Sequence, residues 1–334
     1  MKRILPILLM LVLVLNGCKG ATTSTPDVAP LAVATLVPLG TPVPKYGQEV
    51  ARPLIRDFAT IGSRVAGSQG EAQTAQYIEA VFKAIGYSPE TQPFTAEAGN
   101  APISSGNVVA VKKGSSAQEI IVGAHYDSAA SGAGADDNAS GVAVMLETAK
   151  LVQNAETPYT IRFIAFGAGE AGQMGSYAYL NQMSQEEFEN IIAMIDLDSL
   201  IAGDTAYVYS DEGDLSIVRD WALEWAPGNG LNLQTVRNVD LTDPATGKGS
   251  SDYAPFKDAG IPYAYFQTTN WTLGDQKGRT QVDPSYGEKG VIRNTQYDTL
   301  TYLDTTFLGR VDEHLNLFIS ILYNLLTQFE APVK

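Results

Sequence analysis

The sequence is poor in the residues that bind soft metals and form disulfides. Its 334 residues include one cysteine and two histidines. A single cysteine excludes a disulfide framework within the chain and any cysteine-based zinc or iron–sulfur site. Because imidazole is a common metal ligand, the histidine count limits the number of imidazoles that a metal site can contain. Any metal site in this chain contains at most two imidazole ligands.

Positive charge is also scarce. The chain has 22 basic and 37 acidic side chains, which give a formal net charge of −15. Nucleic acids and anionic lipid surfaces attract basic proteins, so this balance argues against both as direct partners. The 45% hydrophobic and 18% charged residues are typical of a globular protein. The length allows one large α/β domain or two ordinary ones.

The N-terminus has the pattern of a secretion signal. A short basic start, Met1-Lys2-Arg3, precedes an apolar run from Ile4 to Leu15. As a helix this run would span about 18 Å, less than the roughly 30 Å of a bilayer core, so it predicts a signal peptide rather than a membrane span. The ending Leu15-Asn16-Gly17-Cys18 resembles the lipobox of bacterial lipoproteins, which implies an acylated Cys18. An ordinary secreted protein cleaved nearby is the alternative.

A tether follows this predicted signal. The segment after Cys18 is rich in Ala, Thr, Ser and Pro, and X-Pro steps favour extended backbone. We therefore predict a signal peptide over residues 1–17, a lipidated tether over 18–46 and one domain over 47–334. This organisation places the domain outside the cytoplasm at a bacterial cell envelope, with membrane contact only through the lipid anchor.

Helical and strand patterns alternate in the predicted domain. Apolar residues at three- and four-residue spacing predict a helix over 68–84, another over 141–151 and a final one over 305–329 whose stripe includes Leu308. The predicted strands are the short apolar runs Val108–Val111, Ile120–Val122, Thr160–Phe166 and Ile191–Leu197. This succession predicts an α/β domain with a mixed, mostly parallel central sheet and helices on both faces.

Candidate metal ligands follow the predicted strands. His125 and Asp127 come directly after an apolar strand, and a metal-bound imidazole usually donates its other N–H to a carboxylate. A structural histidine is the alternative for this pair. Asp136 and Asp137 lie in a Gly- and Ala-rich loop before a helix, where one of them could serve as a helix cap.

Further carboxylates follow the next two strands. Glu170 comes after the strand at 160–166, and Asp196 and Asp198 end the strand at 191–197. One imidazole with several carboxylates suits a divalent cation, zinc most readily. Without a cation these carboxylates would crowd one pocket, and at least one pKa would have to rise. The pattern therefore predicts a metal site at the carboxyl ends of the strands.

The ordered set resembles metallopeptidase family 28, the bacterial zinc aminopeptidases and their relatives. The likeness extends over most of residues 47–334 and includes the segments Gly62–Ser68, Ser251–Phe256 and Asp298–Leu300. It implies a zinc-exopeptidase fold of three layers, with helices on both sides of the sheet. It also implies peptides, or protein N-termini, as substrates or ligands.

The resemblance assigns roles to individual residues. It implies that His125 and Asp198 hold a first metal, that Asp137 bridges two metals and that Glu170 binds the second. Asp127 would orient His125. A cis peptide bond between Asp137 and Asn138 is common at this position of the family.

Two positions depart from the family pattern. Gly169 stands where the family has a glutamate that serves as general base, a role worth about a hundred- to ten-thousandfold in rate. Asn294 stands where the family has its last histidine ligand, and an amide oxygen is a poor zinc ligand. These departures predict one zinc ion, held by His125, Asp137 and Asp198 with Glu170 adjacent. The other histidine, His314, is predicted to be a partly exposed residue of the last helix.

Three functions are compatible with the sequence. The first is aminopeptidase-type hydrolysis, in which an acid such as Asp196 or Asp252 replaces the missing base. The second is a lipid-anchored pseudopeptidase that binds peptide ends or a partner without cleaving them. The third is a single-zinc transferase resembling glutaminyl cyclase.

Overall fold

The computed structural model describes residues 46–47, 49–98, 101–239, 241, 251–274 and 276–332. The predicted signal peptide, Cys18 and nearly all of the predicted tether lie outside these residues. No helix in the described part of the chain combines the length and apolar character that a membrane span requires.

One mixed sheet forms the centre of the domain. The strands of the described residues are β1 (Glu90–Ala98), β2 (Ala101–Lys112), β3 (Ser116–His125), β4 (Tyr159–Phe166), β5 (Ile191–Leu197), β6 (Thr205–Tyr209), β7 (Leu233–Gln234) and β8 (Tyr263–Thr269). Their order is β1-β2-β4-β3-β5-β8-β6-β7. Strands β4, β3, β5 and β8 are mutually parallel. Antiparallel pairing joins β1 to β2, β2 to β4 and β8 to β6. Strand β6 also pairs with β7 in parallel, so four of the seven pairings among the described strands are parallel, and the predicted mixed, mostly parallel sheet is confirmed.

Helices cover both faces of this sheet. The helices of the described residues are α1 (Ala51–Ile61), α2 (Gln69–Ala84), α3 (Gly141–Val152), α4 (Met174–Gln182), α5 (Gln185–Asn190), α6 (Ile217–Gly228), α7 (Ala254–Asp258), α8 (Leu300–Thr306) and α9 (Arg310–Gln328). One buried cluster joins the sheet to Leu146 of α3 and Leu315 of α9. A second cluster joins the opposite face to Tyr179 of α4 and Phe256 of α7. The three-layer αβα arrangement is therefore confirmed.

Helix α2 is capped by residues of its own local sequence, whereas helix α1 is capped by a residue that is distant in the sequence. The Ser68 side chain accepts a hydrogen bond from Glu71 N, and Glu71 Oε2 accepts one from Gly67 N, which together close the start of α2. Helix α1 has no side-chain cap of its own. Instead Glu147 of α3 accepts hydrogen bonds from the Val50 and Ala51 amides. Helices α1 and α3 are thereby fixed to each other.

The predicted single helix over 305–329 is wrong, because the structure divides this region into α8 and α9. Leu308, expected in the apolar stripe, is 86% exposed. Phe307 is buried instead, with the Arg310 guanidinium 4.1 Å from its ring centroid. Gly309 adopts a left-handed φ of 82°, which glycine accommodates without strain. Phe307 also packs against Tyr286, with 5.2 Å between the ring centroids, a tertiary contact that periodicity does not report.

The sheet topology places a crevice at the carboxyl end of β3. The chain passes from β3 to β4 on one side, and β5 lies on the other side of β3. In open α/β sheets, ligands bind in the crevice where the strand order reverses. Residues that follow β3, β4 and β5 therefore meet at this edge.

Candidate metal centre

Three of the four predicted metal ligands lie together at this edge. His125 is the last residue of β3, Asp198 follows β5, and Asp137 lies in an irregular turn, Ala135–Ser140, before α3. One ligand atom from each residue lies within 4.8 Å of the others. All three side chains are buried, and the peptide bond from Asp137 to Asn138 is cis, as expected.

The orientation of the His125 ring suits a cation. Its Nδ1 lies 3.2 Å from Asp127 Oδ1, and because an ionised carboxylate only accepts, Nδ1 carries the proton. Nε2, which lies 3.2 Å from Asp137 Oδ1 and 3.8 Å from Asp198 Oδ1, is then the atom that can bind either a proton or a metal ion. Asp137 Oδ1 is buried and accepts no hydrogen bond from the described residues. Three electron-rich atoms around one point fit a divalent metal ion.

The pKa shifts follow from the same geometry. Burial disfavours the charged imidazole, but Asp127, Asp137 and Asp198 together raise the pKa of His125 well above its ordinary value. Burial and then the Asp198 charge raise the pKa of Asp137. Burial opposes ionisation of Asp198 too, yet the His125 ring lowers its pKa. The cluster therefore requires a positive centre, and a proton competes with a metal for it.

Asp127 links the end of β3 to the loop that follows β4. Its Oδ1 accepts a hydrogen bond from Gly169 N at 2.8 Å, and its Oδ2 accepts one from Glu170 N at 3.0 Å. The same carboxylate accepts a hydrogen bond from the His125 Nδ1–H group. Asp127 thus lies where the predicted orienting role requires it.

Asp136 and Asp137 have different surroundings although they are adjacent. Asp137 faces His125, whereas Asp136 Oδ1 accepts hydrogen bonds from the Ile201 and Ala202 amides. Burial raises the pKa of Asp136 to about 6. The backbone amides of both residues donate to Asp298, at 2.6 and 3.2 Å. Asp136 and Asp298 therefore fix the turn that presents Asp137.

Two arginines near the centre were missed by the sequence reasoning. Arg64 is fully buried and donates to the carbonyls of Tyr126, Ala133 and Gly134, and burial lowers its pKa to about 10. The Gly62–Ser68 segment, which the family resemblance includes, contains Arg64, and this was the signal that could have identified the residue. Arg293 directly precedes Asn294 and lies close enough to Asp137 and Asp198 to affect their pKa values.

The side of the centre formed by Gly169, Glu170 and Asn294 is more open. Glu170 is exposed and lies outside the three-residue cluster, with Asn294 Nδ2 3.5 Å from its Oε2. Gly169 is buried directly against His125. A Cβ added to Gly169 would lie 2.5 Å from His125 Cγ. A glutamate at residue 169 therefore cannot fit unless this loop or His125 moves.

Three further side chains singled out in the sequence lie deep in the protein. Asp196 and Asp252 are fully buried, where they accept hydrogen bonds from Tyr253 N and Ser176 Oγ respectively. Full burial argues against either residue as the borrowed acid. His314 is only 7% exposed, so the expectation of partial exposure is wrong. Its ring packs beside Phe318 on the inner side of α9.

Comparison with known proteins places these observations in a family. The family model described as peptidase family M28 matches residues 107–319. The alkaline phosphatase isozyme conversion protein of Escherichia coli K12 is 30% identical over 312 residues, which cover 84% of this chain and 90% of that protein. A Mycobacterium tuberculosis H37Rv protein named "Probable lipoprotein aminopeptidase LpqL" is 30% identical over 262 residues. That match covers 70% of this chain but about half, 49%, of the relative.

A solved structure shows the same fold. The zinc aminopeptidase BSAP of Bacillus subtilis superposes with a TM-score of 0.67 at 18% sequence identity. The match covers 87% of this chain and 98% of that one. At this identity the likeness concerns the fold alone.

Proposed function

Because this chain belongs to peptidase family M28, we propose that it is a zinc-dependent hydrolase of the aminopeptidase type, which removes N-terminal residues from peptides. The observation that carries the proposal is the convergence of His125, Asp137 and Asp198 within 4.8 Å. Catalytic zinc sites typically use three protein ligands and leave a further position open for water or substrate. This donor set has that composition.

The site residues would have separate roles around one zinc ion. His125, Asp137 and Asp198 would hold the ion, and Asp127 would keep the His125 lone pair directed at it. The chemistry that zinc supplies in such a site is Lewis acidity, which polarises a peptide carbonyl and acidifies water. The net change in the reaction is addition of water across the scissile C–N bond, with one proton passing to the leaving amine.

Glu170 is the carboxylate that we assign to that proton transfer. It is exposed to the cleft and lies outside the zinc cluster. Its Oε2 has a long contact, 3.5 Å from Asn294 Nδ2, which leaves the carboxylate available to accept a proton from water. Glu170 would thus take the role that Gly169 cannot perform.

The proposed location follows from the N-terminal sequence and the relatives. A signal over residues 1–17, acylation of Cys18 and a tether over 18–46 would hold the domain at residues 47–334 outside the cytoplasm. One relative carries the word lipoprotein in its name, which supports this organisation. A lipid anchor also overcomes the repulsion between an acidic domain and an anionic bilayer.

Hydrolysis of aminoacyl-4-nitroanilides tests the proposed function. The purified chain should release nitroaniline, lose this activity when a chelator removes the metal, and regain it when zinc is added back. Elemental analysis of the same sample should give one zinc ion per chain. Absence of hydrolysis by the zinc-loaded protein would contradict the proposal.

A second function is favoured by one observation, the glycine at residue 169. A chain without a functional base would bind peptide N-termini at the zinc centre and leave them intact. Calorimetric titration of the zinc-loaded protein with short peptides, followed by mass analysis of the peptide, separates the two functions. Binding with an intact peptide supports the pseudopeptidase, whereas a shortened peptide supports the hydrolase.

A further inference from the structure

The start of the loop that follows β4 is held by buried side chains of other elements. Four consecutive backbone amides, those of residues 167–170, each donate a hydrogen bond to such a side chain. In chain order the acceptors are Asn107 Oδ1 at 3.2 Å, Glu71 Oε1 at 2.9 Å, Asp127 Oδ1 at 2.8 Å and Asp127 Oδ2 at 3.0 Å. These side chains belong to β2, to α2 and to the segment after β3. The loop backbone is therefore fixed from outside the loop.

Glu71 lies in the first turn of α2 and is only 2% exposed. Its Oε1 accepts hydrogen bonds from Ala168 N at 2.9 Å and from Ser105 Oγ at 2.7 Å. Its Oε2 accepts one from Gly67 N at 2.6 Å. Burial of a carboxylate is unfavourable unless hydrogen bonds replace its water, and three donors do so here. Capping of α2 uses Oε2 alone, so the two bonds to Oε1 exceed what the helix start requires.

Ala168 needs an external contact because of its backbone conformation. Its φ is 53°, in the left-handed region that residues with a Cβ rarely occupy. Such a conformation persists only where the surrounding structure fixes it. The hydrogen bond from Ala168 N to Glu71 is one of these constraints. Its loss would let the backbone relax at the residue directly before Gly169.

A change in this backbone would reach the centre directly. Gly169 packs against His125, and Glu170 is the carboxylate that we assign to proton transfer. The contact between Glu170 Oε2 and Asn294 Nδ2 is long, at 3.5 Å, so the position of the Glu170 carboxylate depends mainly on the loop backbone. A displacement of about 1 Å at a reacting group can lower a rate by about a hundredfold.

We propose that Glu71 is a positioning residue, whose buried carboxylate accepts the Ala168 N–H and holds the loop after β4 in the conformation that presents Glu170 to the metal centre. This inference rests on the proposed function. Glu71 takes no part in the chemistry, because protein donors in the interior occupy both of its oxygens. One side chain thus fixes the start of α2 and the loop together.

Glu71→Ala tests this role with two measurements. Amide hydrogen exchange of the segment 167–173, followed by mass spectrometry, should become at least roughly tenfold faster, since the loop loses a constraint. On leucyl-4-nitroanilide, kcat should fall by at least roughly tenfold with KM within about threefold, while zinc stays at one ion per chain. A residue that serves stability alone would lower the Tm and leave kcat of the folded, zinc-loaded protein unchanged.

Ser68→Ala is the matched control. It removes the other half of the α2 cap, the hydrogen bond from Glu71 N to Ser68 Oγ at 3.2 Å, and leaves the bond to Ala168 intact. This variant should have a lower Tm, with kcat and the exchange of the segment 167–173 within about twofold of the original chain.

Glu71→Gln is the conservative variant. It keeps one acceptor oxygen, so it should recover part of the kcat that Glu71→Ala loses. If Glu71→Ala does not fold, as judged by circular dichroism, Glu71→Gln serves for both measurements, with smaller changes in the same directions.

Two results would overturn the inference. One is exchange of the segment 167–173 that is no faster in Glu71→Ala than in Ser68→Ala. The other is an unchanged kcat in folded, zinc-loaded Glu71→Ala. If the unaltered protein binds zinc but hydrolyses no peptide, the proposed function fails, yet hydrogen exchange still decides whether Glu71 holds the loop.

Discussion

The two halves of the candidate centre differ in how firmly the fold holds them. The half formed by His125, Asp137 and Asp198 is buried, and Asp127 and Asp298 brace it through hydrogen bonds from side-chain and backbone groups. The half formed by Gly169, Glu170 and Asn294 contains two exposed side chains joined by one long contact of 3.5 Å. The difference supports our proposal of one zinc ion, which the buried half would hold.

This contrast has a physical origin in the sheet. The buried half stands on the ends of β3 and β5 and on a turn fixed at both ends. In the open half, Gly169 and Glu170 depend on a loop that is tied to Asp127 through two backbone amides. Side chains on such a loop can change with less effect on folding. Substitutions in the two halves should therefore have unequal effects on zinc binding.

Replacement of His125 by alanine should have the largest effect. Zinc affinity should fall by more than roughly a hundredfold, which exceeds the usual loss for a residue that only orients a ligand. Activity should disappear with the metal. Elemental analysis after dialysis measures the loss, and His314→Gln, which removes the other imidazole, should retain zinc. Full zinc occupancy in His125→Ala would refute the assignment of the buried half.

Glu170→Gln tests whether the open half binds a metal or moves a proton. If Glu170 is the proton acceptor, its replacement should reduce kcat by about a hundredfold or more, with one zinc ion per chain before and after. Steady-state kinetics and elemental analysis on the same preparation check both parts. A second zinc ion that is present before the change and lost after it would show that Glu170 is a ligand.

Gly169→Ala should have a smaller effect on zinc affinity. The substitution lies in the open half of the centre but should disturb His125 in the buried half. The new Cβ would displace the His125 ring, so we expect zinc affinity to fall by roughly tenfold, as for other changes that disturb ligand orientation. Gly228→Ala is a matched control, because nothing lies within 4 Å of its added Cβ. Equal zinc affinity in the two variants would contradict the close packing of Gly169 on His125.

Zinc binding should be least affected at His314, whose burial instead makes the stability of the fold depend on pH. Burial lowers the pKa of His314 to about 4 from an ordinary 6.5. Below pH 6.5 the unfolded chain binds a proton that the native chain does not, so the free energy of unfolding falls as pH decreases towards 4. The loss approaches about 3 kcal/mol at pH 4. Urea unfolding of the original chain and His314→Gln from pH 7 to 4 measures it; parallel curves would exclude this role.

Local patterns predicted much of the sheet and the buried half of the centre. The predicted strand Ile191–Leu197 has the bounds that the structure shows, and the Gly141–Leu151 helix differs by one residue at its end. A long apolar run that ends at a polar residue predicts both a buried strand and the position where that strand ends. Because the carboxyl ends of parallel strands share an edge, the strand pattern placed His125 near Asp196 or Asp198. The family resemblance then selected Asp198.

Features that depend on distant contacts could not be predicted in this way. Phe307, next to the break before α9, packs against the distant Tyr286, with 5.2 Å between the ring centroids. The burial of His314 depends on which side of α9 faces the sheet. Arg293 gave no signal of its own, since an isolated arginine in a loop is ordinary in sequence. Its neighbour Asn294 marked the position, but only the fold brings Arg293 near Asp137 and Asp198.

The packing of Gly169 against His125 also bears on how this chain can change over generations. A single change to glutamate would place a side chain into the space that the imidazole occupies. A glutamate at this position therefore depends on earlier changes around His125, and the order in which the substitutions arise decides whether each intermediate chain folds.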